Sequence, residues 1–546
     1  MAWHLGIIAR VTTTVVGLSV TLLLTSCDGD RPENNPANSS VHPAPLKIAA
    51  IERQDPSLSI GVNLPPIYDW ALTPVMVDLV HQARRFGSPE TPWDEAAELA
   101  DDGWPIGDFG VFLATRQAGS SHFPGTYTVR FRGKATVTTV ASRASIGTSS
   151  FDPVENTTTV LVTVPEDGNQ LALAFTDTGP GIKHLQIIRP GYDPATPPLF
   201  TREFLEHIAP FRTVRVMDWL RSNNNPVRSW DERATPEYPR YASPRGMPWE
   251  YVTELAIVSN KDLWINIPAH ADDGYVRELA GMLKRELPAT TRLYLEYSNE
   301  VWNAQFEQHA QNRALAIDAV SSGPDARLDH DGSGNPDVWA IRRIAQRGKE
   351  ISDLFREVFG DAAMMTRIRP VFATQVVNPY LTRLALDYIA AQFGPPHHYF
   401  FAIAGAPYFN LGARQIEAGL GTDDVLAALA GSIDNLATVN RFADNHDIAR
   451  RYALPFLAYE GGSDTFGPGS LAAKADASAD PRMEGLCRRY LQTWFDSGGG
   501  LFMWFHAGAG RWDHPYGSWE LTTDIADNDT AKLRCLHSFL NPPAKP

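Results

Sequence analysis

Glu300 and Glu460 are the residues whose types and settings most readily do chemistry. Each closes a short apolar run, and each keeps polar and aromatic company: Glu296-Tyr-Ser-Asn299-Glu300-Val-Trp302-Asn303 in one case, Tyr459-Glu460-Gly-Gly in the other. Paired carboxylates flanked by aromatics are what cleavage of a glycosidic bond requires. One protonates the leaving oxygen; the other attacks the anomeric carbon or activates water. Aromatic faces suit the apolar C–H face of a pyranose, whose hydroxyls need a polar rim. A lone glutamate at a strand end is ordinarily solvated or ion-paired. The pair, together with Asn299, points to catalysis instead.

Carboxylates so far apart in sequence need a scaffold that brings strand ends together. From residue 190 onward, short apolar runs alternate with helical stretches. The runs are 213–217, 263–267, 293–297, 365–370, 399–404, 456–459 and 500–505. Helices are expected at 275–287, 341–359 and 481–496, among others. Such alternation implies parallel strands joined by crossover helices. With 60–64 added, the strands number eight, which predicts an α/β fold, a (β/α)₈ barrel. Between 108 and 190 the texture differs: β-branched runs at 126–132, 135–140, 158–164 and 171–175 are separated by Gly, Pro and Asp turns. This predicts a small antiparallel β-sandwich inserted after the first barrel strand. The expected divisions are 1–27 signal, 28–47 tether, 48–107 first barrel strand with its loops, 108–190 sandwich, and 191–546 the rest of the barrel.

In such a barrel the carboxyl ends of the strands carry the active site. Arg215 and Asp218 end strand two; Asn266, His270 and Asp272 end strand three; Asn299 and Glu300 end strand four. Strand six runs into Tyr408, strand seven ends at Glu460, and strand eight ends Trp504-Phe-His506. On these residues the chain resembles the clan of retaining glycoside hydrolases with (β/α)₈ barrels, exemplified by cellulases and mannanases. The resemblance implies that Glu300 is the acid/base and Glu460 the nucleophile. It implies that Asn299 binds the sugar 2-hydroxyl, Arg215 supports the nucleophile, Tyr408 hydrogen-bonds it, and Trp504 is a sugar platform. Two departures stand out. The clan's Asn-Glu is often followed by Pro, where this chain has Val301-Trp302. The two glutamates also lie unusually far apart, so the loops after strands five and six are expected to be enlarged. The wording Tyr-Ser-Asn-Glu-Val-Trp-Asn resembles a secreted bacterial branch sometimes labelled cellulose-binding.

Other residues admit structural readings too. Arg215 could simply pair with Asp218, Tyr408 could stand behind the site, and Trp504 could be barrel core. Glu296 is read as an inward structural carboxylate. Among the further aromatics Trp230, Trp249, Trp302, Trp512 and Trp519, we expect Trp302 and Trp512 at the cleft, with Asn266, His270 and Asp272 lining it. His270, Asp272 and Asp273 have the types of metal ligands but no second set at a recognised spacing. Asp329-His-Asp331-Gly-Ser333-Gly334-Asn335 opens like a calcium loop, yet Ala340 stands where the closing Glu belongs, so a solvated loop is favoured. No metal or cofactor is expected.

Residues 11–24 form an apolar run ending in Leu24-Thr-Ser-Cys27, which resembles a bacterial lipobox and implies lipidation of Cys27. The following stretch is rich in Pro, Asn, Ser and Asp, as a flexible tether would be. With Cys27 committed to lipid, Cys487 and Cys535 remain to pair. They sit on the helices before and after strand eight, which are barrel neighbours, and we expect a disulfide between them. The chain carries 63 Asp+Glu against 48 Lys+Arg, net −15, which argues against nucleic-acid binding and leaves the lipid as the only membrane attachment. The sequence thus leads to a lipid-anchored glycoside hydrolase of a bacterial cell envelope, acting on a β-linked poly- or oligosaccharide by retaining double displacement. The alternative is a non-catalytic carbohydrate-binding surface lipoprotein on the same barrel.

Overall fold

Eight parallel strands close into a barrel in strict chain order. They are Ile60–Asn63, Thr213–Arg215, Asp262–Ile267, Leu293–Tyr297, Ile368–Ala373, Ala402–Gly405, Phe456–Ala458 and Phe502–Trp504, numbered one to eight below. All eight overlap the runs picked out in the sequence, although the fifth and sixth each start three residues later than expected. Nearly every strand residue is buried, because helices cover the outside and side chains fill the inside. The interior is aromatic and polar. Trp264 stacks on Tyr294 at 5.4 Å, and Arg369 donates to the Tyr294 hydroxyl at 2.6 Å.

The computed structural model describes residues 59–115, 121–322, 326–436 and 442–541, all within one compact unit. Cys27 and the segments assigned to signal and tether lie outside them. The expected helices appear as Asp273–Glu286, Pro336–Phe359 and Arg482–Asp496. The enlarged loops are placed differently from expectation. Two helices, Glu307–Ser322 and Pro336–Phe359, separate strands four and five. Another pair, Thr422–Asp434 and Phe442–Arg451, separates six and seven, whereas a single α-helix, Pro379–Gln392, links five and six. Enlargement therefore follows strands four and six.

The insertion is a sandwich of a three-stranded and a four-stranded antiparallel sheet. Its strands include the expected runs plus three unforeseen ones, Phe109–Thr115, Ser145–Asp152 and Lys183–Ile188. Its apolar core is separate from the barrel's and recruits Leu79, Val80, Phe86 and Trp104. The first sandwich strand begins at Phe109, and residues from 79 onward add side chains to its core.

Candidate active site

Arg215 organises the mouth of the barrel. It ends strand two, is wholly buried, and spends every N–H of its guanidinium. Nε and Nη2 clasp the two oxygens of Glu296, each at 3.0 Å. Nη2 also donates to Asn299 Oδ1 at 2.8 Å; Nη1 donates to Asn63 Oδ1 at 2.9 Å and to Glu460 Oε2 at 3.3 Å. Asn63 and Trp264 stand beside Arg215 in the register of strands one and three, so the strand pairing itself sets up this network. Glu296 is fully buried and also accepts from Trp264 Nε1 at 2.7 Å. Burial pushes Glu296 upward and Arg215 opposes it. Glu296 is thus the structural carboxylate expected, and it is Glu296, not Asp218, that forms the tight pair with Arg215.

Glu300 lies beyond the end of strand four. Ser298 and Glu300 both adopt left-handed backbone, with φ of 53° and 43°, a conformation costing a non-glycine residue of order 1 kcal/mol and often found at working sites. Glu300 Oε1 accepts from the Tyr459 hydroxyl at 2.9 Å and Oε2 from Asn303 Nδ2 at 2.8 Å. Tyr459 immediately precedes Glu460, so the chain that presents one carboxyl also fixes the other. Glu460 is pushed up to about 8, first by burial, next by the Glu300 charge, with Arg215 opposing. Glu460 is deeply buried, with only 9% of its surface exposed. Gly462 lets the chain leave this position: its φ is 132°, and a Cβ there would come within 2.9 Å of Trp504.

Around the pair, Tyr408 is half-buried, and its hydroxyl is raised well above the ordinary phenol range by burial and then by the charges of Glu460, Asp464 and Glu300. Asp218 is pushed up to about 6 by burial, against Arg215. Asn299 bridges Arg215 and Asn223.

Other expected residues fall elsewhere. Trp504 is fully buried and belongs to the barrel core; the next residue, Phe505, is the half-exposed aromatic, its ring 5.3 Å from Trp519 and 6.4 Å from Tyr408. Trp512 is not at the cleft either. It is 7% exposed, covered by Lys532 at 5.0 Å, and bonded through Nε1 to the Glu520 carbonyl. Trp302 is half-buried against the barrel core. Asn266 is buried, donates to the Ser298 carbonyl at 2.7 Å, and holds the turn before Glu300 rather than lining a cleft. His270 and Asp272 line a different pocket with Arg343 and Arg347, and Asp272 caps a helix by accepting from Tyr275 N. Asp331 of the calcium-like loop is engaged by Arg342. No cluster of His, Cys, Asp and Glu fit to hold a metal occurs among the described residues. Asn63, Tyr459, Asn303 and Phe505 escaped sequence reasoning. An Asn closing an apolar strand was the available signal for the first.

No protein-family model matches the chain. A search of curated proteins also finds no match. Among solved structures the chain is similar to a 4-O-α-L-rhamnosyl-β-D-glucuronidase from Fusarium oxysporum, at 12% identity, 60% coverage of each chain and a TM-score of 0.36. It is similar to an endo-1,4-β-D-xylanase from Clostridium thermocellum, at 9% identity over 87% of this chain and 98% of that one, TM-score 0.34. A family 51 α-L-arabinofuranosidase from Bifidobacterium longum gives 10% identity, 64% and 68% coverage and a TM-score of 0.39. The chain thus spans 60% of the length of the first of these proteins. All three are glycoside hydrolases. The functional reading rests on the site and not on these similarities.

Proposed function

We propose that this protein is a glycoside hydrolase cleaving a β-linked poly- or oligosaccharide with retention of configuration. The observation that carries the reading is a buried Glu460 held by Arg215, electrostatically coupled to a Glu300 that is anchored by Tyr459 and Asn303. In the first step the Glu460 carboxylate attacks the anomeric carbon while Glu300 gives its proton to the leaving oxygen. In the second, water attacks the glycosyl ester, Glu300 takes the water proton, and Glu460 departs as carboxylate. The mechanism needs one proton on the pair, and the upward push on Glu460, from burial and then from the Glu300 charge, retains one there. Substrate binding must leave that proton on Glu300. Asn299 and Tyr408 are assigned to hold the sugar and the nucleophile.

The test is substrate turnover with proton NMR of the first anomer released. Glu460→Ala should abolish turnover of every substrate. Glu300→Ala should spare the first step for good leaving groups, and azide should restore turnover as a glycosyl azide. Wild-type activity in both variants would sink the mechanism. We also propose that Cys27 carries lipid and anchors the protein in a bacterial envelope, on the strength of the Leu24-Thr-Ser-Cys27 wording. Labelled palmitate should enter the protein and not its Cys27→Ser variant.

A further inference from the structure

A pocket of about 320 Å³ opens between the chain leaving strand one and the chain leaving strand eight. Trp70, Tyr516 and Trp519 supply its aromatic surface, and His506 and Glu520 its polar surface. A chain of aromatic rings leads from it towards the carboxylate pair. His506 directly follows Phe505, whose ring meets Trp519 on one side and Tyr408 on the other. Trp519 in turn donates to Asp464 Oδ1 at 3.2 Å, and Asp464 is one of the charges that bear on Tyr408.

We propose that this pocket binds one neutral pyranose ring of an oligosaccharide whose neighbouring bond lies at Glu300 and Glu460. The proposal rests on the hydrolase reading above and extends it to substrate class and length. Trp70 is 47% exposed, and its ring is braced by Tyr68 at 4.3 Å with an interplanar angle of 11°. A braced, half-exposed indole is a rigid platform for a sugar's C–H face, obtained at little entropy cost. Glu520 supplies the matching acceptor. Its Oε2 has no hydrogen-bond partner among the described residues, and His506 Nε2 stands 4.0 Å from Oε1. Gly510 leaves it room, since a Cβ there would fall 2.4 Å from Oε1. His506 Nδ1 also lacks a partner, and burial lowers this ring to about 3, which keeps it neutral. A neutral imidazole beside a carboxyl suits hydroxyls, which both donate and accept. Charge works against an acidic sugar: Arg215 has no N–H to spare, and Arg511, the guanidinium that lines the pocket, is held by Asp513 at 2.5 Å.

The probes are β-1,4-linked tetrasaccharides of glucose, mannose and xylose, with the aryl monoglycoside of each sugar as the short substrate. For the sugar turned over, Trp70→Ala should lower the ratio of tetrasaccharide to aryl-glycoside kcat/KM by about tenfold, and Glu520→Gln should lower it to a lesser degree. Calorimetric titration of a tetrasaccharide into the Glu460→Gln protein should weaken by a similar factor when Trp70→Ala is added, and should persist at high salt. Equal ratios and equal affinities with and without Trp70 overturn the proposal. So does failure of every neutral tetrasaccharide to bind, or preferential binding of tetragalacturonate. A wild-type protein that binds a neutral tetrasaccharide through Trp70 yet cleaves nothing would overturn the hydrolase reading alone.

Discussion

Glu460 makes the site expensive in a way that pH exposes. Its native value of about 8 stands above the 4.5 of an unperturbed glutamate. Between those values the native state holds a proton that the unfolded chain has released. Stability therefore falls as pH rises through that window. Glu460→Gln should raise Tm, by more at about pH 9 than at about pH 5; an advantage independent of pH would contradict the burial argument. Turnover should decline as pH rises through about 8, where the pair loses its single proton. Arg215 has the opposite stability role. Arg215→Met leaves Glu296 buried without its partner, a change worth about 3–5 kcal/mol, to be measured by urea unfolding. Adding Glu296→Gln should return part of that loss. At this scale the sequence was legible where side chains share one layer of the barrel and illegible where strands stop. Strand eight ends at Trp504, so Phe505 and not Trp504 reaches the open side; alternation along a strand turns a one-residue slip into the wrong face. Tyr459 was missed for the same reason, because strand seven already ends at Ala458.

Among the elements, the barrel strands were legible because burial on both faces makes them continuous apolar runs. The sandwich strand Ser145–Asp152 was not, because its sequence, SIGTSSFD, is almost entirely exposed and its two large apolar residues, Ile146 and Phe151, are too far apart to form a run. The length between Glu300 and Glu460 demanded enlarged loops, but length alone could not say which. The helices Arg482–Asp496 and Ala531–Leu540 flank strand eight and are joined by Cys487–Cys535, with Cα atoms 6.1 Å apart. The bond closes a separation of 48 residues, for which chain entropy assigns about 4 kcal/mol, with about 2–4 typical in practice. These helices pack behind the strand that leads to Phe505 and the pocket. Cys487→Ser with Cys535→Ser should therefore lower Tm by several degrees while leaving the pH profile of turnover in place. An unchanged Tm would mean that the unfolded chain gains nothing from release of the bond.

For the whole molecule, the question is whether the sandwich is a tethered module or part of the catalytic body. The chain between barrel strand one and the sandwich is shared by both. Val77 N donates to the Leu199 carbonyl and Thr201 N to the Val75 carbonyl on the barrel side, while Arg189 N donates to the Val77 carbonyl on the sandwich side. Arg189 is 8% exposed; its Nε donates to the Met76 carbonyl at 2.8 Å and its Nη2 to Gln82 Oε1 at 2.9 Å. Asp78 accepts from Ile187 N and Val80 N, and burial pushes it up to about 6. Ser121, on the sandwich, reaches Asp524 near the C-terminal helix. A backbone ladder with buried polar clasps cannot part without orphaning its donors and acceptors, each at about 1–3 kcal/mol. The two cores should therefore melt together, and scanning calorimetry should show one transition. Arg189→Ala should lower that transition by a few degrees, because it strands the Met76 carbonyl and the Gln82 amide oxygen. Two resolved transitions in the wild-type protein, with the barrel surviving the first, would make the sandwich an independent module and refute the shared ladder as a structural joint.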